Sequence, residues 1–292
     1  MNALRVAGVG FLILGAHFLT GCGGVPAALA VSGASLNGNW NIVGNGAPAS
    51  FPSLSFALIV EGNQLYAQGN MDVGCDGPPG GQSGGGGGLY LTGQLAADGT
   101  FTLTEPAGTG LTLDGNPIQV VVTGTAAGST AASWTGTYAM TTAADATGCI
   151  VNETGSFTAT AFAPVTGTYS GALTEDNSGT VGVNATVDVT QGTAASEKSI
   201  EQTTTYYLPL TATIAVTGIP CFTHGTSSVS QLDGLNTVEG SIVSMGFLMD
   251  DGSQLLMLGQ MTGTDAASIN FQLIAINGGQ CANSYNGTLS QP

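Results

Sequence analysis

The sequence predicts an all-β protein, built as two tandem antiparallel β-barrel or β-sandwich domains, an internal duplication with almost no helix after the amino-terminal segment. Three observations predict it. Val, Ile, Thr, Tyr and Phe recur in short alternating runs bounded by Gly, Asn, Asp and Pro, the pattern of hairpins with one wetted face. The 47 glycines punctuate those runs. Beyond the first residues, no window of about 11 residues keeps a 3.6-residue apolar period free of Gly or β-branched interruption.

The chain opens with Arg5, an apolar run over residues 6–19, and small residues before a cysteine. A basic start, a short apolar stretch and small residues at the cut are the layout of a secretory signal peptide, here residues 1–21. The four residues Leu19-Thr20-Gly21-Cys22 resemble the lipobox of bacterial lipoproteins. That resemblance implies diacylation of the Cys22 thiol, removal of the signal and acylation of the new amino terminus. An uncleaved anchor helix running on to Val31 is the competing reading. Gly21, Gly23, Gly24 and Pro26 oppose it, because Gly and Pro are poor interior helix residues. Several acyl chains on one cysteine anchor stably, since each buried methylene contributes about 0.8 kcal/mol and a single chain is marginal. Gly23, not Asp, follows Cys22. By the same resemblance the inner-membrane retention signal is missing, which implies a lipid anchor in the outer membrane. Residues 22–35 then form a lipidated tether.

Two related halves follow, β domain 1 at 36–163 and β domain 2 at 164–292, each long enough for its own core. Each half opens on a small-Gly-small-aromatic run, Asn37-Gly38-Asn39-Trp40 and Thr166-Gly167-Thr168-Tyr169. Each half closes on a cysteine followed at matching distances by Gly and a large apolar residue: Cys149, Gly155 and Phe157, then Cys281, Gly287 and Leu289. Cys75 and Cys221 each come just after a long strand pattern. With Cys22 lipidated, four cysteines remain and allow three connectivities; Cys75 with Cys149 and Cys221 with Cys281 is the one that respects the duplication. An exported compartment permits such bridges, each worth about 4 kcal/mol in the chain-entropy account. The Gly-x-aromatic openings resemble the first strand of lipocalin-type and avidin-type barrels, which hold ligands in their interior.

Within the halves, Thr100-Phe101-Thr102-Leu103 alternates after the Asp98-Gly99 turn, and residues 268–273 alternate as cleanly. Trp40 and Trp134 sit in such patterns and read as core. Residues 161–165 form a short connection, so the domains touch. The proline and glycine stretch at 77–88, with five successive glycines at 84–88, reads as a loop that cannot pack. It lacks the Lys and helix start of a phosphate loop.

The formal net charge is −16, from 18 carboxylates against two Lys and Arg. Once the signal is removed, Lys198 is the one strong cation left. A surface of that sign repels nucleic acid and anionic head groups, which are held by Lys and Arg, so nucleic-acid binding is excluded. Charged residues make up 7% of the chain, against about 25% in ordinary soluble domains, so the surface is built from Thr, Ser, Asn, Gln and Gly.

The same inventory removes most catalytic designs. A Ser-His-Asp arrangement would need His224, the one histidine after the signal, which reads as a solvated loop residue. Lys198 beside Glu197 reads as a solvated charge in a polar loop. The adjacent acids Asp250 and Asp251, Glu175 and Asp176, and Asp72 and Asp76 around Cys75 read as turn or surface residues. No calcium-loop motif occurs and no C-x-x-C spacing suggests zinc, so no metal and no cofactor is implied. The triplets at Asn152, Asn184 and Asn286 fit a glycosylation pattern but read as strand and turn residues in a bacterial chain. Two function classes remain. The first is a non-catalytic envelope lipoprotein, membrane-bound through its anchor, that binds an envelope protein, a neutral glycan or a small ligand, or serves structurally. The alternative is a carboxylate-dependent glycoside hydrolase, which needs two carboxyl groups converging about 5 to 9.5 Å apart. The sequence favours the first.

Overall fold

The computed structural model describes residues 36–45, 53–74, 84–106, 112–113, 116–126, 130, 132–142, 152–176, 181–192, 196–200, 203–219, 221, 223–227, 236–276 and 283–292. The signal and tether at 1–35 lie outside them, as do Cys75, Cys149 and Cys281. No helix longer than a single turn occurs among the described residues.

The first sheet comprises β1 (Gly38–Gly44), β2 (Ser53–Glu61), β3 (Gln64–Gly74), β4 (Gly84–Leu95), β5 (Thr100–Thr104), β6 (Thr112–Leu113), β7 (Asn116–Thr125), β8 (Ser133–Thr142) and β9 (Asn152–Ala161). Neighbours pair antiparallel, β5 bridges to β7, and β9 returns to β1. The ring β1-β2-β3-β4-β5-β7-β8-β9 is therefore a closed eight-strand barrel, with β6 paired only to β7. The second sheet comprises β10 (Gly167–Glu175), β11 (Val181–Gln191), β12 (Ser196–Ile200), β13 (Thr203–Thr217), β14 (His224–Ser227), β15 (Thr237–Glu239), β16 (Ile242–Met249), β17 (Gln254–Met261), β18 (Ser268–Ile276) and β19 (Ser284–Ser290). Here β14 and β15 both lie between β13 and β16, at different heights, as two pieces of one interrupted strand. With β11 on β13 and β19 on β10, this ring also closes at eight strands, and β12 pairs with the start of β13. The two rings share one order, and the two Gly-x-aromatic openings occupy the same place in each, the start of β1 and of β10.

Closure makes the strands tilt and the interior small, and in an eight-strand barrel side chains fill it. Here they fill it by size alternation across strands. Phe56 faces Gly69, Phe101 faces Gly124, Phe157 faces Gly136, Tyr138 faces Gly155, and Phe271 faces both Gly259 and Gly287. A Cβ on Gly124 would lie 2.5 Å from the Phe101 ring, and one on Gly259 would lie 2.3 Å from Phe271. At Gly124, Gly136, Gly155 and Gly259 the glycine yields the volume that the opposite ring takes, whereas at Gly69 and Gly287 it lets the neighbouring backbone approach. In the first barrel Trp134 stacks edge-on against Trp40, Phe101 and Phe157, with centroids 6.0, 5.3 and 5.1 Å away. Trp40 Nε1 donates to the Leu36 carbonyl at 2.8 Å. In the second barrel the equivalent Tyr169 donates its hydroxyl to the Ala266 carbonyl at 2.9 Å.

Residues 31–292 form one compact unit, and the barrels pack side by side within it. The wedge between them is β2. Leu54, Phe56 and Leu58 face the first barrel's interior, while the opposite face is equally covered, with Ser55 at 2%, Ala57 at 0% and Ile59 at 2% exposure. Ala57 belongs to the second barrel's core cluster. Several polar groups cross this joint: Gly240 N donates to Asn39 Oδ1 at 2.7 Å, and Asn39 Nδ2 donates back to the Gly240 carbonyl. Ser241 N donates to Ser55 Oγ at 3.1 Å, and Ser55 Oγ donates to Asn70 Oδ1 at 2.8 Å. The connection between the barrels joins in, with Phe162 N on the Asn39 carbonyl and Ala163 N on that of Thr264.

Three sequence expectations are corrected. The glycines at 84–88 are not a loop; they are the start of β4 and pair with β3 from Gly84 opposite Gly74 to Gly88 opposite Asn70. Main-chain hydrogen bonds make a strand without side chains when the partner supplies the register. Lys198 is not in a loop either, but in β12 opposite Thr205. His224 opens β14, opposite Ala215.

Gly240 has φ +62, and a Cβ there would lie 2.4 Å from the Ser55 backbone. Gly240→Ala is expected to destabilise the fold by at least about 1–3 kcal/mol from backbone strain alone. Asn39→Ala leaves two buried backbone groups unpaired, at about 1–3 kcal/mol each. Urea unfolding of both variants checks the two values.

Candidate functional site

The described inward positions of both barrels are occupied by packed side chains. One concavity on the outside is a groove of about 620 Å³ on the second barrel, lined by residues of β11, β13, β14 and β16 and by Asp250. Register places its outward side chains in two rows. Asp188, Thr213, Thr226 and Leu248 are successive cross-strand partners. Thr186, Ala215 and His224 form the second row, which Asp250 extends by donating its N–H to the His224 carbonyl at 2.8 Å.

Each carboxylate in the groove is held by a threonine. Thr168 Oγ1 donates to Asp188 Oδ1. Thr223 donates its N–H to Asp250 Oδ1 at 3.0 Å and its hydroxyl to Oδ2 at 2.7 Å. The Thr223 hydroxyl proton being so committed, its contact of 2.9 Å with His224 Nδ1 makes that nitrogen the donor and leaves Nε2 as an acceptor. The side-chain hydrogen bond from Thr223, then its backbone hydrogen bond, hold the Asp250 carboxyl below the usual carboxylate range.

This geometry does not make an acid–base site. In a nucleophile–histidine–acid relay the imidazole lies between the other two groups, whereas here Thr223 separates His224 from Asp250. Asp188 and Asp250 stand at diagonal corners, three strand spacings across and two residues along, roughly 16 Å over the sheet, beyond the reach of a carboxylate pair at about 9.5 Å. A general acid also needs a raised pKa, and that of Asp250 is lowered. The other acids singled out in the sequence do turn and edge work. Asp251 accepts from Ser253 N at 2.8 Å and from its hydroxyl at 2.6 Å. Glu175 accepts from Asn283 and Asp176 from Asn286. Asp72 lies in β3, and Asp76 is outside the described residues. No group of three His, Cys, Asp or Glu gathers as metal ligands among the described residues. Cys221 is the one cysteine among the described residues and packs, half-buried, against the second barrel's core.

Glu239 is pushed the other way. It lies on β15 in the joint between the barrels, where burial raises its pKa against the lowering effect of hydrogen bonds from Thr237 and Gln68. It was not legible in the sequence, because a lone Glu after Thr-Val gives no sign that another barrel will cover it.

No protein-family model and no curated protein matches the chain. Among solved structures, a double mutant of the vaccine antigen transferrin binding protein B from Haemophilus parasuis aligns over 82% of this chain, at 8% identity and a TM-score of 0.14. This chain spans 62% of the length of that one. A score of that size carries no argument.

Thr223→Val should raise the Asp250 pKa towards the ordinary 3.8, observed by carboxyl-carbon NMR titration. For Glu239 the folded protein keeps a proton that the unfolded chain releases near 4.5. The stability that Glu239 contributes is therefore fully present below that value and is lost as pH rises through the folded pKa. Glu239→Gln should abolish this fall, seen as a flatter Tm across the mildly acidic range.

Proposed function

We propose that this chain is a non-catalytic bacterial lipoprotein of the cell envelope, held in the outer membrane through lipidated Cys22 and presenting its tandem barrels as a binding or structural module. The observation that carries the reading is the run Leu19-Thr20-Gly21-Cys22 behind a basic and apolar start. Filled interiors support recognition by the outer surface, and separated, threonine-capped carboxylates support a non-catalytic role. Residues 22–35 serve as the tether.

The cysteine pairings Cys75 with Cys149 and Cys221 with Cys281 belong to the same proposal. Antiparallel neighbours alternate in direction around each ring, so the β3–β4 and β8–β9 connections leave from one end of the first barrel. By the same alternation the β13–β14 and β18–β19 connections share one end of the second. These connections carry the four cysteines in the proposed pairs, which supports pairing within barrels.

Intact mass of the membrane-extracted protein tests the anchor: the expected species begins at Cys22 and carries acyl chains, and Cys22→Ser leaves it unacylated. An unprocessed amino terminus on the wild type would overturn the reading. Non-reducing peptide maps should show 75–149 and 221–281 linkages.

A further inference from the structure

We propose that the outer groove of the second barrel is a binding site for a linear aliphatic oligoamine, whose terminal ammonium groups pair with Asp188 and Asp250 while its methylenes lie along Ala215, Leu248 and the threonine methyls. The proposal deepens the reading of a non-catalytic binding module and rests on it for the use of the outer surface.

Four observations carry it. The groove's volume of about 620 Å³ is that of a small-molecule site, typically about 300–1,000 Å³. Its lining contains two carboxylates, one histidine and neither Lys nor Arg, so charge complementarity favours a cationic occupant. The carboxylates stand at opposite corners of the two rows, roughly 16 Å apart over the sheet. A single ammonium group cannot meet both, whereas an extended chain with an ammonium at each end can. Between the corners lie Thr213, Thr226 and Ala215, with Leu248 ending one row, a strip of methyl groups and hydroxyl acceptors that suits methylenes and internal amines. The hydroxyl of Thr223 and that of Thr168 already orient the two carboxylates, so little ordering is left for binding to supply.

The field of the whole chain is the competing explanation. At a net charge of −16 any polycation is attracted without a site, so the test must separate the groove from the field. Spermine is titrated calorimetrically into the full mature protein in detergent at physiological ionic strength. Putrescine, a diamine too short to bridge the corners, is titrated beside it. The variants are Asp188→Asn and Asp250→Asn in the groove, and Asp98→Asn as a control with the same charge change on the first barrel. Thr226→Lys is added because it sets an ammonium of the protein's own in the middle of the groove.

One spermine per chain is expected. Each groove Asp→Asn variant should weaken it by about fivefold, the scale of an exposed ion pair. Thr226→Lys should weaken it further, Asp98→Asn should leave it unchanged, and putrescine should bind far more weakly. Equal losses in Asp98→Asn and the groove variants would assign the binding to the general field and overturn the site. So would equal affinity for putrescine, or no binding at all. Circular dichroism of each variant identifies any that fails to fold, and the remaining groove variants then decide. None of these outcomes touches the anchor, whose failure is read separately in the intact mass.

Discussion

Everything in this molecule depends on fitting large rings into two narrow closed barrels. Several rings take the volume left by a cross-strand glycine, Gly124 against Phe101, Gly136 against Phe157, Gly155 against Tyr138 and Gly259 against Phe271, while Trp40 and Phe56 stand opposite one another, both buried. The glycine is unfavourable in a strand by itself, through backbone entropy and lost side-chain contact. The ring that occupies its space offsets that penalty, since packing at interior density leaves no void to relax into. The abundance of glycine is therefore largely a packing property of the barrels as well as a turn property.

The same logic at the joint explains why the barrels form one unit. A barrel strand ordinarily buries one face, but β2 buries both, and its outward Ala57 enters the neighbouring core. Small residues at 55 and 57 let the second barrel approach, and that approach brings Gly240 against the Ser55 backbone. Buried backbone groups there need partners, and the Asn39 amide supplies them by pairing with Gly240 as a second strand would. Glu239 is buried by the same approach, which is why its proton is held more tightly than that of an exposed acid.

The chemistry on the outer surface is spare. With His224 and Lys198 the only basic side chains after residue 21, a site draws mainly on carboxylates, amides, hydroxyls and apolar strips. The groove at β11, β13, β14 and β16 combines carboxylates, hydroxyls and an apolar strip. Its threonines act on the carboxylates rather than on a substrate: by donating to Asp250, Thr223 keeps that group anionic and fixes the His224 tautomer. Such an arrangement holds charge still instead of moving protons, which fits recognition and not turnover.

The strands themselves were legible from the residues, because alternation at period two reports burial on one face; residues 100–103 and 268–273 alternate in burial as they alternate in sequence. The charge and the paired Gly-x-aromatic openings were legible for the same local reason. What the sequence could not yield depends on partners distant along the chain. The glycines at 84–88 carry no pattern, and only the backbone of β3 makes them a strand. The run Ser53–Glu61 is nearly continuous in apolar residues, but only the second barrel says what covers its outer face. Asp188 and Asp250 are 62 residues apart in the sequence, and nothing local relates them. Periodicity is a property of neighbouring residues and survives in any fold, whereas the pairing and register of β11, β13, β14 and β16 are tertiary, and that register brought the two carboxylates onto one groove.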